Sequence, residues 1–398
     1  MTDLAKPATG PAWMVIAAIS LCHLLNDVMQ SVLAAVYPLL REEFSLDFWQ
    51  IGLMTFAFQI TASLFQPLIG MATDKRPFPQ SLPLGMGATM IGVAMLAYAG
   101  SYAMLLSGAM LIGIGSAVFH PEASRVARLA SGGRYGTAQS LFQVGGNFGQ
   151  AGGPLLAAFI VVPFGRPAIA WFALAALLGM VILWQVGAWY GRWTRANAGR
   201  AAASRALPIP KSRVVMAITV LTVLVFTKNA YNASLSSYYT FFLIERFNLS
   251  AQASQLMLFL FLAAAAMGVV LGGLVGDRIG PLTVIWFSIL GALPFTLLLP
   301  HVGLVWTGVL TCIIGIVMSS AFPAILVFAQ DLVPGRIGMI AGIFFGLSFG
   351  FGGIAAAALG VLADVRGIEY VYQVCAWLPA LGLLTILLPK RREMMGAY

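Results

Sequence analysis

Apolar stretches of roughly 20 residues, each long enough to cross about 30 Å of hydrocarbon, recur along nearly the whole of this chain. In lipid every backbone N–H and C=O must find its partner inside the structure, so only helices and closed barrels can span. Barrel strands would show short segments of about ten residues alternating apolar and polar positions. No such alternation occurs, and helices remain. Composition agrees: the 398 residues are 60% hydrophobic and 9% charged, against roughly 25% charged in soluble domains. The expected class is an all-α protein of the lipid bilayer.

Apolar runs bounded by charge, Gly or Pro predict twelve helices. They fall near 13–40, 48–72, 82–100, 102–124, 136–162 and 167–190, then near 214–244, 253–276, 281–300, 302–328, 336–363 and 369–389. This grouping predicts a six-helix bundle over 13–190, a polar cytoplasmic linker over 191–213 and a second six-helix bundle over 214–389. The linker carries Arg192, Arg195, Arg200, Arg205, Lys211 and Arg213 among Ala, Ser and Pro. If both termini face the cytoplasm, about 17 Lys and Arg lie inside, from Lys6 through the linker to Lys390, Arg391 and Arg392. About 4 lie outside (Arg41, Arg166, Arg246, Arg366), a bias that sets orientation. The net charge of +9 is then a topology signal, and no nucleic-acid partner is expected. The first apolar run, about 25 residues, is too long for a signal-peptide core and is expected to stay as a helix. Cys22, Cys312 and Cys375 sit in apolar segments without paired spacing or neighbouring ligands. Packing is expected of them, and no metal or cofactor is expected of the chain.

The two halves echo each other at an offset of about 202 residues, the signature of an internal repeat. Gly70-Met-Ala-Thr-Asp74-Lys75 matches Gly273-Leu-Val-Gly-Asp277-Arg278. Phe119-His120-Pro121 matches Ala321-Phe322-Pro323 to within a residue, and Arg134-Tyr135-Gly136 matches Arg336-Ile337-Gly338. Two pseudo-symmetric bundles follow. In the first pair of loops, Gly lets two helix ends approach, while Asp suits a helix N-terminus or a neighbouring Arg. Gly70, Asp74, Lys75, Gly273, Asp277 and Arg278 are therefore candidates for a conformational latch, with a simple acid–base turn as the alternative.

Twelve spans, a basic central linker and this loop in both halves resemble the major facilitator superfamily over the whole chain. The superfamily's loop usually continues with Gly and a basic pair; here Lys75-Arg76 is followed by Pro77, and Asp277-Arg278-Ile279-Gly280 by Pro281-Leu282. More specific strings are similar to the fosmidomycin-resistance family. They are HLLNDVMQS at 23–31, YPLLREEFSL at 37–46, FHPEASRVARLASGGRYG at 119–136, AQSLFQVGGNFG at 138–149, SSYYTF at 236–241 and ILVFAQDLVPGRIGM at 325–339. The resemblance implies a bacterial inner-membrane efflux carrier driven by proton influx, with a small phosphonate anion as substrate; a monomer is the expected working unit.

On the fifth helix, Gln139, Gln143, Asn147 and Gln150 share one face. Gly145, Gly146, Gly149, Gly152 and Gly153 supply another on which backbones can approach closely. The amides either line a cavity or hydrogen-bond between helices. Gly149-x-x-x-Gly153-Pro154 resembles part of a superfamily antiporter motif, although Phe142 and Ala157 stand where further Gly would be expected.

Charge inside the spans is the sharpest clue. A charged side chain near the bilayer centre costs about 3 kcal/mol even on lenient scales, so it faces protein or water. His23, Asp27 and Gln30 lie on one face of the first helix with Asn26 beside them, and Asp27 is about 14 residues in, near mid-membrane. Lys228 sits at similar depth in the seventh helix, accompanied by Asn229, Tyr231 and Asn232. His120 and Glu122 lie toward the inner end of the fourth, where Glu122 has Arg125 and Arg128 as possible partners. The superfamily resemblance implies that helices one, four, seven and ten line the cavity. Asp27 is then expected to carry a coupling proton, with His23 as relay and Glu122 as a further candidate. Lys228 is expected to bind the substrate anion, aided by His120, Asn26, Gln30, Gln143, Asn147, Tyr231 and Asn232. Alternatives stay open: a permanent Asp27–Lys228 ion pair, a packing role for His120, and packing for Phe119, Tyr238 and Tyr239. A catalytic cluster and a phosphate-cradling Gly-Lys-Ser/Thr loop are both absent, which argues against an enzyme or an ATP-driven pump. The competing transport reading is an uptake symporter or facilitator for an endogenous organic anion.

Overall fold

In the computed structural model, residues 10–197 and 209–394 are described. Lys6, Arg200 and Arg205 lie outside the described residues. Among those described there is no strand, and eleven helices are long and apolar enough to cross a membrane. With one shorter apolar helix they are α1 (Trp13–Ala35), α2 (Phe48–Lys75), α3 (Ser81–Ala97), α4 (Tyr102–Ala130), α5 (Tyr135–Phe164) and α6 (Arg166–Ala196), followed by α7 (Lys211–Phe247), α8 (Ala251–Ile279), α9 (Pro281–His301), α10 (Leu304–Leu332), α11 (Ile337–Arg366) and α12 (Ile368–Leu387). The short one is α3, with 17 residues.

Local chemistry explains where these helices bend. The first run does not continue to residue 40: it stops at Ala35, and Pro38 opens a separate short helix, Tyr37–Phe44. Proline has no N–H to give to the preceding turn, and Pro154 inside α5 is followed by a π-helical turn, Ala157–Val161. In α9, Pro294 and Pro300 accompany breaks into 3-10 turns, as Pro379 does in α12. The polar linker is shorter than its composition suggests, because α6 runs on to Ala196 and α7 begins at Lys211.

The chain divides into two compact units. One holds the described residues up to Asn197 together with Gly335–Gly346; the other holds Ile209–Pro334 and Leu347–Met394. The first turns of α11 thus belong with the first unit, although the bulk of that helix belongs with the second.

Within the first unit α1 lies along α5, and α4 packs against both α2 and α3. Small residues make this possible, since apolar side chains gain nothing by leaving lipid and close backbone packing must supply the attraction. A Cβ on Gly145 would collide with the Ser20 carbonyl, and one on Gly153 with the Ser31 hydroxyl. Gly85, Gly92, Gly108 and Gly115 do the same between α3 and α4. In the second unit Gly268 and Gly272 of α8 press on Ile316 and Ser320 of α10. Its core is aromatic and aliphatic, centred on Tyr231, Tyr239, Phe242, Ile314, Met318 and Tyr372.

Candidate functional site

A buried polar cluster of the first unit lies where α1, α4 and α5 meet. Asp27 is 2% exposed, His23 and His120 1% each, and Asn26 fully buried. The Asp27 carboxylate accepts hydrogen bonds from three amides: Asn26 Nδ2 at 3.2 Å and Gln30 Nε2 at 3.0 Å on Oδ1, and Gln150 Nε2 at 3.1 Å on Oδ2. Nε2 of His23 lies 3.5 Å from Oδ2 and Nε2 of His120 lies 3.6 Å from Oδ1. The two Nε2 atoms face each other at 3.3 Å.

Both imidazoles are anchored through their other nitrogen. Nδ1 of His23 meets the Phe142 carbonyl at 2.7 Å, and Nδ1 of His120 meets the Ser116 carbonyl at 2.9 Å and its hydroxyl at 3.2 Å. Ser116 in turn donates to Gln30 Oε1 at 3.0 Å. Aromatic rings close the cluster: Phe142 stacks on His23 with centroids 4.1 Å apart, and Phe119 and Phe345 flank the histidines. The second Asn26 side-chain atom, Oδ1, is buried and makes no hydrogen bond.

The sequence placed His23, Asp27 and Gln30 on one face with Asn26 beside them, and the structure brings His120 to them. Three participants lay beyond the sequence reading. Gln150 was recognised only as part of a polar stripe, Ser116 is marked only by standing one turn before His120, and Phe142 acts through its main-chain carbonyl, which leaves no trace in a sequence. Gln143 and Asn147 lie half-buried on α5, and Gln139 donates to the Ser124 carbonyl and hydroxyl at 2.9 and 2.8 Å. His23, Asp27 and His120 also form a donor set, within 4.8 Å, that could hold a metal ion. However, amide N–H groups already occupy three of the four acceptor positions of the carboxylate, which suits a proton better than a metal.

Glu122 lies in a different network, toward the end of α4. It is fully buried and pairs with Arg125 at 2.8 Å, while accepting from Thr73 at 2.6 Å and Ser81 at 3.4 Å. Arg125, 5% exposed, also bonds Asp74 at 2.6 Å, the Thr73 hydroxyl at 3.0 Å and the Gly70 carbonyl at 3.3 Å. The other faces of Asp74 accept the backbone N–H groups of Gly338 and Met339 at 3.0 and 2.8 Å. These are unpaired donors of the first turn of α11, where a carboxylate is most favourable. Gly70 is needed here because a Cβ would strike the Gly338 carbonyl. Lys75 is exposed.

In the second unit Lys228 holds its Nζ 5.1 Å from the centroid of the Phe322 ring, a cation on an aromatic face. Tyr231 is buried in the aromatic core, Asn232 is half-buried, and the Nδ2 of Asn229 is buried without a hydrogen bond. Tyr239 accepts from Thr311 at 2.9 Å and Tyr238 donates to the Ala356 carbonyl at 2.6 Å, so both hydroxyls serve packing. Gly273 is buried, and Asp277 and Arg278 are exposed.

Comparison with known proteins bears on this arrangement. The sequence pattern of the Major Facilitator Superfamily matches residues 19–357. The chain is 57% identical to the fosmidomycin resistance protein of Escherichia coli over 99% of both chains. It is 40% identical to an uncharacterized MFS-type transporter of Bacillus subtilis over 98% of this chain and 96% of that one. Among solved structures it is similar to the MFS transporter FucP in the outward conformation, with TM-score 0.73, 16% identity and 94% and 98% of the two chains covered. It is also similar to the human organic anion transporter MFSD10, with TM-score 0.73, 18% identity and coverage of 96% and 100%. At these identities the structural likeness speaks for the fold alone.

Proposed function

The chain belongs to the major facilitator superfamily, and within it to the family of the Escherichia coli fosmidomycin resistance protein; it is a multi-pass membrane transporter and not an enzyme, and we propose that it exports small anionic drugs or metabolites in exchange for protons. The observation that carries the proton coupling is the trio of His23, Asp27 and His120, buried together inside helices meant for lipid. Ionisable groups are expensive there, and their usual reason is to carry protons or ions. The relative's name supports the cargo: fosmidomycin is a small phosphonate, and a carrier confers resistance by moving a drug out of the cell.

Lys228 is the proposed anion site. An aromatic face steadies the ammonium but supplies no formal negative charge, and a phosphonate would bring one. The setting is the bacterial inner membrane, with both termini in the cytoplasm, two six-helix halves over 13–190 and 214–389 joined by the linker 191–213, and a monomer as the working unit. The partners are then the cargo, protons and lipid. Asp74, bridging Arg125 and the first turn of α11, is the latch.

Membrane vesicles of both orientations test the reading. In inverted vesicles with an acid lumen, adding a phosphonate should move it inward and release lumenal protons. The Asp27→Asn carrier should lose substrate-driven proton movement. Accumulation only in right-side-out vesicles would establish uptake instead, and unchanged coupling in the variant would remove Asp27 from the proton path.

A further inference from the structure

The hydrogen-bond directions around the buried trio fix where its proton lies. A carboxylate contacted by three amide N–H groups can only accept from them, so Gln30 turns its Nε2 to Asp27 and its Oε1 to Ser116. The hydroxyl of Ser116 has one hydrogen, and it is given to Gln30 Oε1. Toward His120 Nδ1, at 3.2 Å, that oxygen must therefore accept. The Ser116 carbonyl, 2.9 Å from the same nitrogen, can also only accept. His120 Nδ1 consequently bears a hydrogen. On His23, Nδ1 faces the Phe142 carbonyl at 2.7 Å and must bear one too.

A neutral imidazole has one N–H. If both rings were neutral, both Nε2 atoms would be bare lone pairs facing each other at 3.3 Å, with the Asp27 oxygens 3.5 and 3.6 Å away. Two lone pairs would then repel each other at hydrogen-bonding distance, with the negative carboxylate beside them. One proton between the nitrogens removes the conflict: it is covalently bound to one Nε2 and hydrogen-bonded by the lone pair of the other. The positive charge it creates lies beside the ionised Asp27. A second proton would restore a clash, this time of two N–H groups. A proton on Asp27 Oδ2, which accepts from Gln150 alone, would reach toward His23 Nε2 and leave the lone pairs of the two rings still facing each other.

We infer that His23 and His120 hold a single proton in an Nε2–H···Nε2 bridge, and that in this conformation the transported proton resides there, with Asp27 as its counter-ion. The inference rests on the proton-coupled reading above and moves the proton's seat from the carboxylate to the imidazoles. No heavy-atom bond changes: the proton joins an Nε2 lone pair from water on one side and leaves to water on the other. Asp27 of α1 faces both rings of the bridge. From α4, Glu122 and Arg125 pair with each other and with groups on α2 and α3; α5 contributes Phe142 and the Gln150 amide; Phe345 closes the remaining side.

The chain has only 3 histidines, and the third, His301, is exposed, which makes nitrogen NMR decisive. Full-length protein carrying 15N-histidine, reconstituted in lipid at neutral pH, should show protonated Nδ1 on two rings. Their Nε2 signals should be joined by a nitrogen–nitrogen coupling through one shared hydrogen. His120→Gln should abolish the coupling, because the ring that supplies the second Nε2 is gone. Two neutral rings with bare Nε2, or a bare Nδ1 on either ring, would overturn the bridge, and the wild-type spectrum suffices if the variant does not fold. Vesicle assays separate the two readings. Coupled transport with bare Nε2 atoms would sink the bridge alone, and a bridge in a carrier that moves substrate without protons would sink the coupling alone.

Discussion

Replacing Gly146 with alanine tests the packing on which the geometry of the site depends. A Cβ at this position would lie 2.5 Å from both Cε1 and Nε2 of His23 and 3.0 Å from Cδ2, against 3.4–4 Å for ordinary contact. The ring would have to retreat by about an ångström. It has little room to do so, because Phe142 stacks on it at 4.1 Å and its Nδ1 is held by the Phe142 carbonyl at 2.7 Å, one turn earlier on the helix that carries the new methyl. Overpacking of this kind costs about 1–3 kcal/mol, and loss of the anchored hydrogen bond adds about 1 kcal/mol. The sum is about 2–4 kcal/mol, enough to lower the unfolding temperature of the purified carrier measurably.

Gly152→Ala is the matched control on the same helix. Its Cβ would meet only Val28 Cγ2 at 3.8 Å, so the change should stay within about 0.5 kcal/mol. Thermal unfolding in detergent and growth of a drug-sensitive bacterium expressing each variant are the two readouts. Gly146→Ala should unfold earlier and lose resistance, while Gly152→Ala should match the parent. Equal stability and equal resistance in the two variants would refute the close α1–α5 approach on which the geometry of His23 depends.

Other residues give independent tests. Arg125→Met strands Glu122, fully buried, with only hydroxyl partners; breaking a buried pair from one side costs about 3–5 kcal/mol, and the variant should fail to accumulate in membranes, as an immunoblot would reveal. Asp74→Asn keeps the shape but removes the charge from Arg125 and from the first turn of α11; a loss of about 1–3 kcal/mol should appear as a lower unfolding temperature, whereas an unchanged one would mean those bonds contribute nothing net. Lys228→Ala should weaken phosphonate binding by about 10–100-fold, the range of a hydrogen bond to a charged group, and calorimetry showing normal affinity would remove Lys228 from the cargo site.

What the sequence made legible follows physical range. Helix identity is local, so hydropathy alone located the spans, and the ends moved mainly where a helix continues past its apolar stretch, as α6 does to Ala196. Periodicity put His23, Asp27 and Gln30 on one face, because three and four residues make a turn. It could not put His120 against them, since 93 positions separate it from Asp27 and only the packing of α1 on α4 and α5 closes that gap. Glu122 shows the converse. The sequence left it two roles, a proton carrier or a partner of Arg125 or Arg128, and Arg125, one turn away on the same helix, pairs with it at 2.8 Å. Carbonyl anchors such as those of Phe142 and Ser116 are invisible in a sequence, because every residue has one.

The repeated loop carries the same lesson into function. Asp74 and Asp277 occupy matching places in a recurrent motif, and a sequence comparison treats them alike. In its own unit Asp74 is nearly enclosed, its oxygens shared between Arg125 and two backbone N–H groups at a helix start. Asp277 is exposed, where water screens its charge and an ion pair is worth little. The basic residues that follow, Lys75 and Arg278, are exposed in both copies. A duplicated motif therefore records where the chain must turn at the membrane surface. Whether its carboxylate does chemical work depends on the neighbours each copy has gained, and it is Arg125, with Glu122 behind it, that gives the first copy its grip.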